Sequence, residues 1–214
     1  MNIEELQAAL DVAIRASEEA WAITEAADLR HAHWQAKLAG LEAECERAMT
    51  ALDAEKKRQQ MSILFVDFDG VLHPLNSGKT FTCAPVLWQI LECVPDLRVV
   101  VSSSWREHQP MDRMVTLMTQ GGGEHLANRI IGKTPQVANT ERGKECEQWL
   151  LENAMGAVKW AIIDDDPLLF NDYRNRVLFT DSHVGLTARS AQRVIDYFTL
   201  GQFSAGLSPE STIA

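Results

Sequence analysis

Ile63-Leu64-Phe65-Val66 is an unbroken apolar run that stops at Asp67-Phe68-Asp69-Gly70, as a buried strand reads when it reaches a turn. The same rhythm returns twice. Val99-Val100-Val101 precedes Ser102-Ser103-Ser104, and Trp160-Ala161-Ile162-Ile163 precedes Asp164-Asp165-Asp166. Strands are predicted over 62–67, 97–102, 127–131, 158–164 and 175–180, and helices over 85–94, 110–120, 141–154 and 187–199. Strands separated by helices of about ten residues indicate βαβ units. The fold class is therefore α/β, a Rossmann-like parallel sheet with helices on both faces. Such sheets bind ligands beyond the carboxyl ends of their strands. The polar clusters fall at those ends.

Residues 1–58 follow another rule. They hold no Pro and one Gly, Gly40, and are rich in Ala, Glu and Leu, which favours helix. Apolar or small residues recur at Leu10, Ile14, Ser17 and Trp21, and again at Trp34, Leu38, Leu41, Cys45, Ala48 and Leu52. Alternating spacings of four and three mark one face of a helix or a coiled-coil seam. The two registers do not join between Trp21 and Trp34, so a break or a helical hairpin is expected there. This extension is either an arm for a homodimer or a protein partner, or a helix packed on its own catalytic domain. The domain division reads as 1–58 helical extension, 61–200 α/β domain and 201–214 a Gly-, Ser- and Pro-rich flexible tail.

Composition narrows the class. The formal net charge of −10 argues against a general nucleic-acid coat or a binder of anionic membranes, while leaving room for a local basic groove. Cys45, Cys83, Cys93 and Cys146 are widely spaced, with no CxxC pair, so neither a zinc site nor a disulfide framework is expected. Glu4, Glu5 and Asp11 stand where a signal peptide would be basic and then apolar. No apolar run approaches the ~20 residues of a membrane span. The expected compartment is the cytoplasm, with no membrane partner.

Two carboxylates at the end of a buried strand repel each other and are costly to desolvate. Asp67 and Asp69, with Gly70 letting the chain turn, could hold a divalent cation and offer one oxygen as a nucleophile. A calcium loop is excluded, because Val71-Leu72-His73-Pro74 follows where more oxygen ligands would be needed. Ser102 could cap a helix. One of Asp164, Asp165 and Asp166 could be an N-cap before Pro167, but three adjacent carboxylates exceed what a cap requires. Trp105 could stack a base and Arg106 take a second phosphate, or the pair could be a core aromatic beside a surface Arg. His73 could touch a leaving group or cap its loop.

In order, the chain has strand-DxDG, strand-Ser, a cation opening a helix, and strand-Asp-Asp. This resembles the haloacid dehalogenase (HAD) superfamily of phosphotransferases. The stretches DFDGVLHP at 67–74, SSSWR at 102–106, IGKTP at 131–135, ERGKECEQWL at 141–150 and IIDDDP at 162–167 look like the HAD domain of "Swiss Army Knife" RNA-repair proteins. The resemblance covers roughly residues 61–200 and leaves 1–58 unexplained.

The resemblance implies an Mg²⁺-dependent phosphatase. Asp67 would be the nucleophile that forms an aspartyl-phosphate, and Asp69 the general acid/base, with its backbone carbonyl on the metal. Ser102 would bind a phosphoryl oxygen, with Ser103 and Ser104 as competitors or caps. Family members usually place a Lys at the third motif. Here Arg142 is the first choice, Lys144 the second, and Lys133 another available cation. Asp165 would bind the metal directly, with Asp164 the near alternative, and Asp166 would be an N-cap.

The intervals from Gly70 to Leu97 and from Ser104 to Arg142 leave no room for a large cap. An open site admits a bulky substrate, and the resemblance favours a phosphate at an RNA terminus or on a nucleotide. A phosphoprotein phosphatase and a HAD-fold interaction module recruited through residues 1–58 are the alternatives.

Overall fold

The computed structural model describes residues 2–24, 31–137, 141–156 and 158–201, and of residues 22–24, 31–34 and 57–59 the backbone only. The tail beyond Gly201 lies outside them. The chain divides into two compact units, Met1–Gln60 and Met61–Ala214.

In the first unit α1 (Ile3–Thr24) and α2 (His31–Gln60) pack antiparallel. Leu6 and Leu10, near the start of α1, meet Leu52, near the end of α2, with Ile3, Cys45 and Ala48 around them. The buried stripe of α1 is Leu6, Leu10, Ala13 and Ala20, whereas Ile14 is 39% and Trp21 65% exposed. The expected Leu10–Ile14–Ser17–Trp21 face is therefore rotated. Small Ala side chains lie on the buried stripe, a preference that a search for bulky apolar residues overlooks. On α2 the seam from Leu38 to Leu52 is at least half-buried throughout. The Trp34 side chain and the junction at 25–30 lie outside the described residues.

The second unit is a five-stranded, all-parallel sheet flanked by helices. Its strands are β1 (Ser62–Val66), β2 (Leu97–Val101), β3 (Ile130–Lys133), β4 (Lys159–Asp164) and β5 (Val177–Phe179), in the order β3-β2-β1-β4-β5. Central β1 is buried on both faces, which is why it reads as a continuous apolar run. Leu64 and Val66 face α3 (Ala84–Cys93), α4 (Met111–Thr119) and α6 (Ala188–Leu200). Ile63 and Phe65 face α5 (Arg142–Glu152), where Cys146, Trp149 and Leu150 are buried.

The predicted strand 127–131 needs correction. Residues 124–129 form a 3₁₀ turn, and β3 runs from Ile130 to Lys133. Arg129 holds that turn by donating to the carbonyls of Val94 and Leu97. The ladder then continues through Gly132, which accommodates Trp149: a Cβ there would lie 3.1 Å from its indole nitrogen. The strand expected over 175–180 is likewise shorter, with a 3₁₀ turn over Arg174–Arg176 before β5.

The connection from β1 leads to β2 on one side, while its other neighbour is β4. Ligands bind at the carboxyl edge of such a switch point. Val66 pairs with both Val101 and Ile163, so the next residues, Asp67, Ser102 and Asp164, come side by side there. Among the described residues, no separate subdomain is inserted after β1 or between β2 and α5. No described helix is long and apolar enough to cross a membrane.

Candidate active site

The Asp67 backbone N–H donates to the Ile163 carbonyl at 3.1 Å, and the Ser102 N–H to the Val66 carbonyl at 3.0 Å. These bonds extend the ladder one residue past the strands and leave the side chains at the rim. Asp67, Asp164 and Asp165 each present a carboxylate oxygen, and these atoms lie within 4.8 Å of one another. Such proximity is unfavourable for three anions. Burial, and then Asp67, push Asp164 up to about 7, and the same two causes push Asp165 up to about 6. Burial raises Asp67 against the opposing pull of Arg142.

Arg142 opens α5 and reaches into this group. Its Nη1 is 2.8 Å from Asp164 Oδ2 and 3.4 Å from Asp67 Oδ2. Burial disfavours its charge, but Asp164 and Asp67 outweigh burial and hold its pKa above the usual range. Gly143 follows because α5 passes against Tyr173: a Cβ at 143 would lie 2.2 Å from the Tyr173 ring. Lys144, the alternative cation, is exposed and acts on Glu141 outside the acidic group. Lys133 donates to the Arg106 carbonyl at 2.7 Å.

Gly70 makes the turn after Asp69 possible. Its φ is +69°, and a Cβ there would lie 2.3 Å from Asp165 Oδ2. The Thr180 hydroxyl, at the end of β5, donates to the Gly70 carbonyl at 2.8 Å. The Asp67/Asp69 turn is thereby tied to β5, a link with no sequence signal.

The three serines separate. Ser102 is buried, and its hydroxyl has no partner among the described residues. A buried unpaired hydroxyl is costly, and beside Asp67 it suits an incoming ligand oxygen. Ser103 hydrogen-bonds the Asp67 carboxylate and its hydroxyl accepts from the Trp105 N–H. Ser104 is exposed at the start of the 3₁₀ turn Ser104–Glu107. Asp166 accepts from the Leu168 N–H at 2.9 Å, capping the turn Pro167–Leu169.

Arg106 corrects an expectation. It is neither a surface residue nor free for a second phosphate. Its guanidinium is buried, donating to the Ser102 carbonyl at 2.6 Å and to Glu145 Oε2 at 2.5 Å. Glu145 also accepts from the Val137 N–H at 3.0 Å. Sequence reasoning missed Glu145. The available signal was an acidic residue three positions after Arg142, on the helix face that turns inward. Trp105 is half-buried, its ring meeting Phe68 and Phe81 edge-on, and its indole N–H donates to Asp69 Oδ2 at 2.8 Å. His73 is buried with Nε2 3.0 Å from Asp69 Oδ1.

Three clustered carboxylates, two of them with markedly raised pKa values, fit a hard divalent cation that takes oxygen ligands, as Mg²⁺ does. Asp164 has both oxygens engaged, Oδ2 by Arg142 and Oδ1 by the Asp166 N–H at 3.0 Å. Asp67 is likewise engaged by Arg142 and Ser103, and Asp165 is the least buried of the three.

Residues 63–191, more than half of the chain, match the family described as the HAD domain in Swiss Army Knife RNA repair proteins. No curated protein and no solved structure matches.

Proposed function

The chain belongs to the HAD-domain family of Swiss Army Knife RNA repair proteins, and from that membership we propose that it is a Mg²⁺-dependent phosphomonoesterase acting on a nucleic-acid terminus or nucleotide. The observation that carries the proposal is Arg142 set between Asp67 and Asp164, with Asp165 completing the acidic group. One guanidinium and one candidate site for a divalent cation flank the Asp67 carboxylate. That arrangement suits a phosphate dianion meeting an anionic nucleophile.

In the first half-reaction an Asp67 oxygen attacks phosphorus, and the bond from phosphorus to the leaving oxygen breaks as Asp69 gives that oxygen a proton. In the second, Asp69 takes a proton from water. The water oxygen bonds to phosphorus, the Asp67–phosphorus bond breaks, and phosphate leaves. Arg142 and the Ser102 hydroxyl hold phosphoryl oxygens throughout. Mg²⁺, held by Asp67, Asp165 and the Asp69 carbonyl, would supply the charge neutralisation that lets the two anions approach.

The nucleic-acid part rests on the family's RNA-repair context and on an uncapped edge. A cleft of about 360 Å³ lined by Ser104, Trp105, His108 and Gln109 opens beside the residue that holds Asp69. The chain's acidity favours contact with a terminus over a long anionic tract.

The test is hydrolysis of p-nitrophenyl phosphate with Mg²⁺ and with EDTA, followed by a panel of 3′- and 5′-phosphorylated RNA, mononucleotides and phosphopeptides. Mg²⁺-dependent turnover that disappears in Asp67→Asn is expected, with phosphorylated RNA ends preferred. Activity persisting in Asp67→Asn would sink the mechanism. A preference for phosphopeptides would replace the substrate.

A further inference from the structure

Asp67 and Asp69 are one residue apart but sit in different surroundings. Asp67 faces Arg142 and the acidic group. Asp69, with its side chain 41% exposed, is held by Trp105 on Oδ2 and His73 on Oδ1. We propose that Trp105 and His73 are positioning residues that hold Asp69 in place as the general acid/base. The inference rests on the phosphomonoesterase reading above.

The two donors are themselves rigid. Phe68, Phe81, His73 and Trp105 form an aromatic box, with ring centroids 5.0 to 6.0 Å apart and edges meeting faces or tilted. Phe68 and Phe81 are buried in the core beneath α3. Asp69 would otherwise be a half-exposed carboxylate on a turn, free to rotate. Anchored donors remove that freedom before substrate arrives.

The chemistry of the donors differs in a way that fits the task. An indole N–H can only donate, so Trp105 keeps one lone pair of Oδ2 occupied in either protonation state of Asp69. An imidazole nitrogen donates or accepts according to tautomer. In the tautomer that carries its proton on Nε2, His73 donates to one lone pair of Oδ1 whether Asp69 is ionised or protonated, and the other lone pair of Oδ1 is left for the transferred proton. His73 Nδ1 is buried with no partner among the described residues, so no acceptor draws the ring proton to that nitrogen. Asp69 thus gives up its proton to the leaving oxygen, and recovers one from water, without turning over.

The experiment compares p-nitrophenyl phosphate with benzyl phosphate. The rings are similar, but the first leaving group departs without a proton and the second needs one. The value kcat/KM reports steps up to the first phosphoryl transfer. General-acid catalysis is worth about 10²–10⁴-fold, so Asp69→Asn should selectively cripple benzyl phosphate. Trp105→Phe and His73→Phe should each reduce benzyl phosphate turnover at least about tenfold more than p-nitrophenyl phosphate turnover, a fraction of that range. His73→Gln, which places an amide near the Nε2 position, should recover part of the loss. In the Asp69→Asn background Trp105→Phe should add nothing, because it acts through the missing group.

An equal fall on both substrates, or a full further loss in the Asp69→Asn background, overturns the inference while leaving the phosphatase reading intact. A wild-type protein inactive on both overturns the two together. If Trp105→Phe melts far below wild type, the His73→Phe and His73→Gln pair decides the matter alone.

Discussion

Asp164 and Asp165 are neighbours whose carboxylates meet different partners, and their protonation carries a stability signature. Their pKa values lie at about 7 and about 6, against about 4 in an unfolded chain. Between those limits the metal-free folded protein holds protons that the unfolded chain has released. This contribution is full below about pH 4 and is lost as pH rises towards 7. A bound cation takes the place of those protons. In EDTA, Tm should fall from pH 5 to pH 8. Mg²⁺ should restore it at pH 8 and do little at pH 5. A metal response that is equal at both values would contradict the shared carboxylate site. Gly70 gives a second prediction. An added methyl would meet Asp165 and would strain a φ of +69°, which costs about 1–3 kcal/mol. Gly70→Ala should lower Tm and weaken the Mg²⁺ response, read by thermal melts with and without metal. The acidic residues at strand ends were legible in sequence because a strand and its last residue are contiguous. Arg106 was misread for the opposite reason: its partner Glu145 is 39 positions away.

At the scale of elements, α5 brings Arg142, Gly143, Glu145 and Trp149 to the sheet from one helix. Its Glu145 and the Arg106 of the Ser104–Glu107 turn form a buried pair, each side chain below a tenth exposed. Through the Ser102 carbonyl and Val137 N–H this pair joins the ends of β2 and α5. Breaking one half of such a pair costs about 3–5 kcal/mol, while replacing both halves with apolar residues costs far less. Denaturant unfolding should show Glu145→Leu strongly destabilised and Arg106→Met/Glu145→Leu closer to wild type. The long alternations of strand and helix were readable from periodicity to within a few residues. The departures have local causes: Arg129 claiming carbonyls ahead of β3, Gly132 carrying the ladder under Trp149, and alanines on the buried stripe of α1.

At the scale of the whole molecule, every group assigned to the chemistry lies in the unit Met61–Ala214. Residues 61–214 alone should therefore hydrolyse p-nitrophenyl phosphate within about threefold of the full chain, about 0.6 kcal/mol in barrier. A complete loss of turnover by a folded fragment would assign part of the site to Met1–Gln60. The amino-acid sequence by itself determined the parallel α/β sheet, the carboxylates and serines at its carboxyl edge, and the distinct helical character of the first sixty residues. These follow from contiguous runs, where propensity and burial period act over a few neighbours. Only the tertiary structure decided that Arg142 rather than Lys144 enters the acidic group, that Arg106 turns inward, and that Trp105 and His73 close on Asp69. Apart from His73, which meets Asp69 within one turn, these depend on where packing brings together side chains from separate elements, and no local period encodes that.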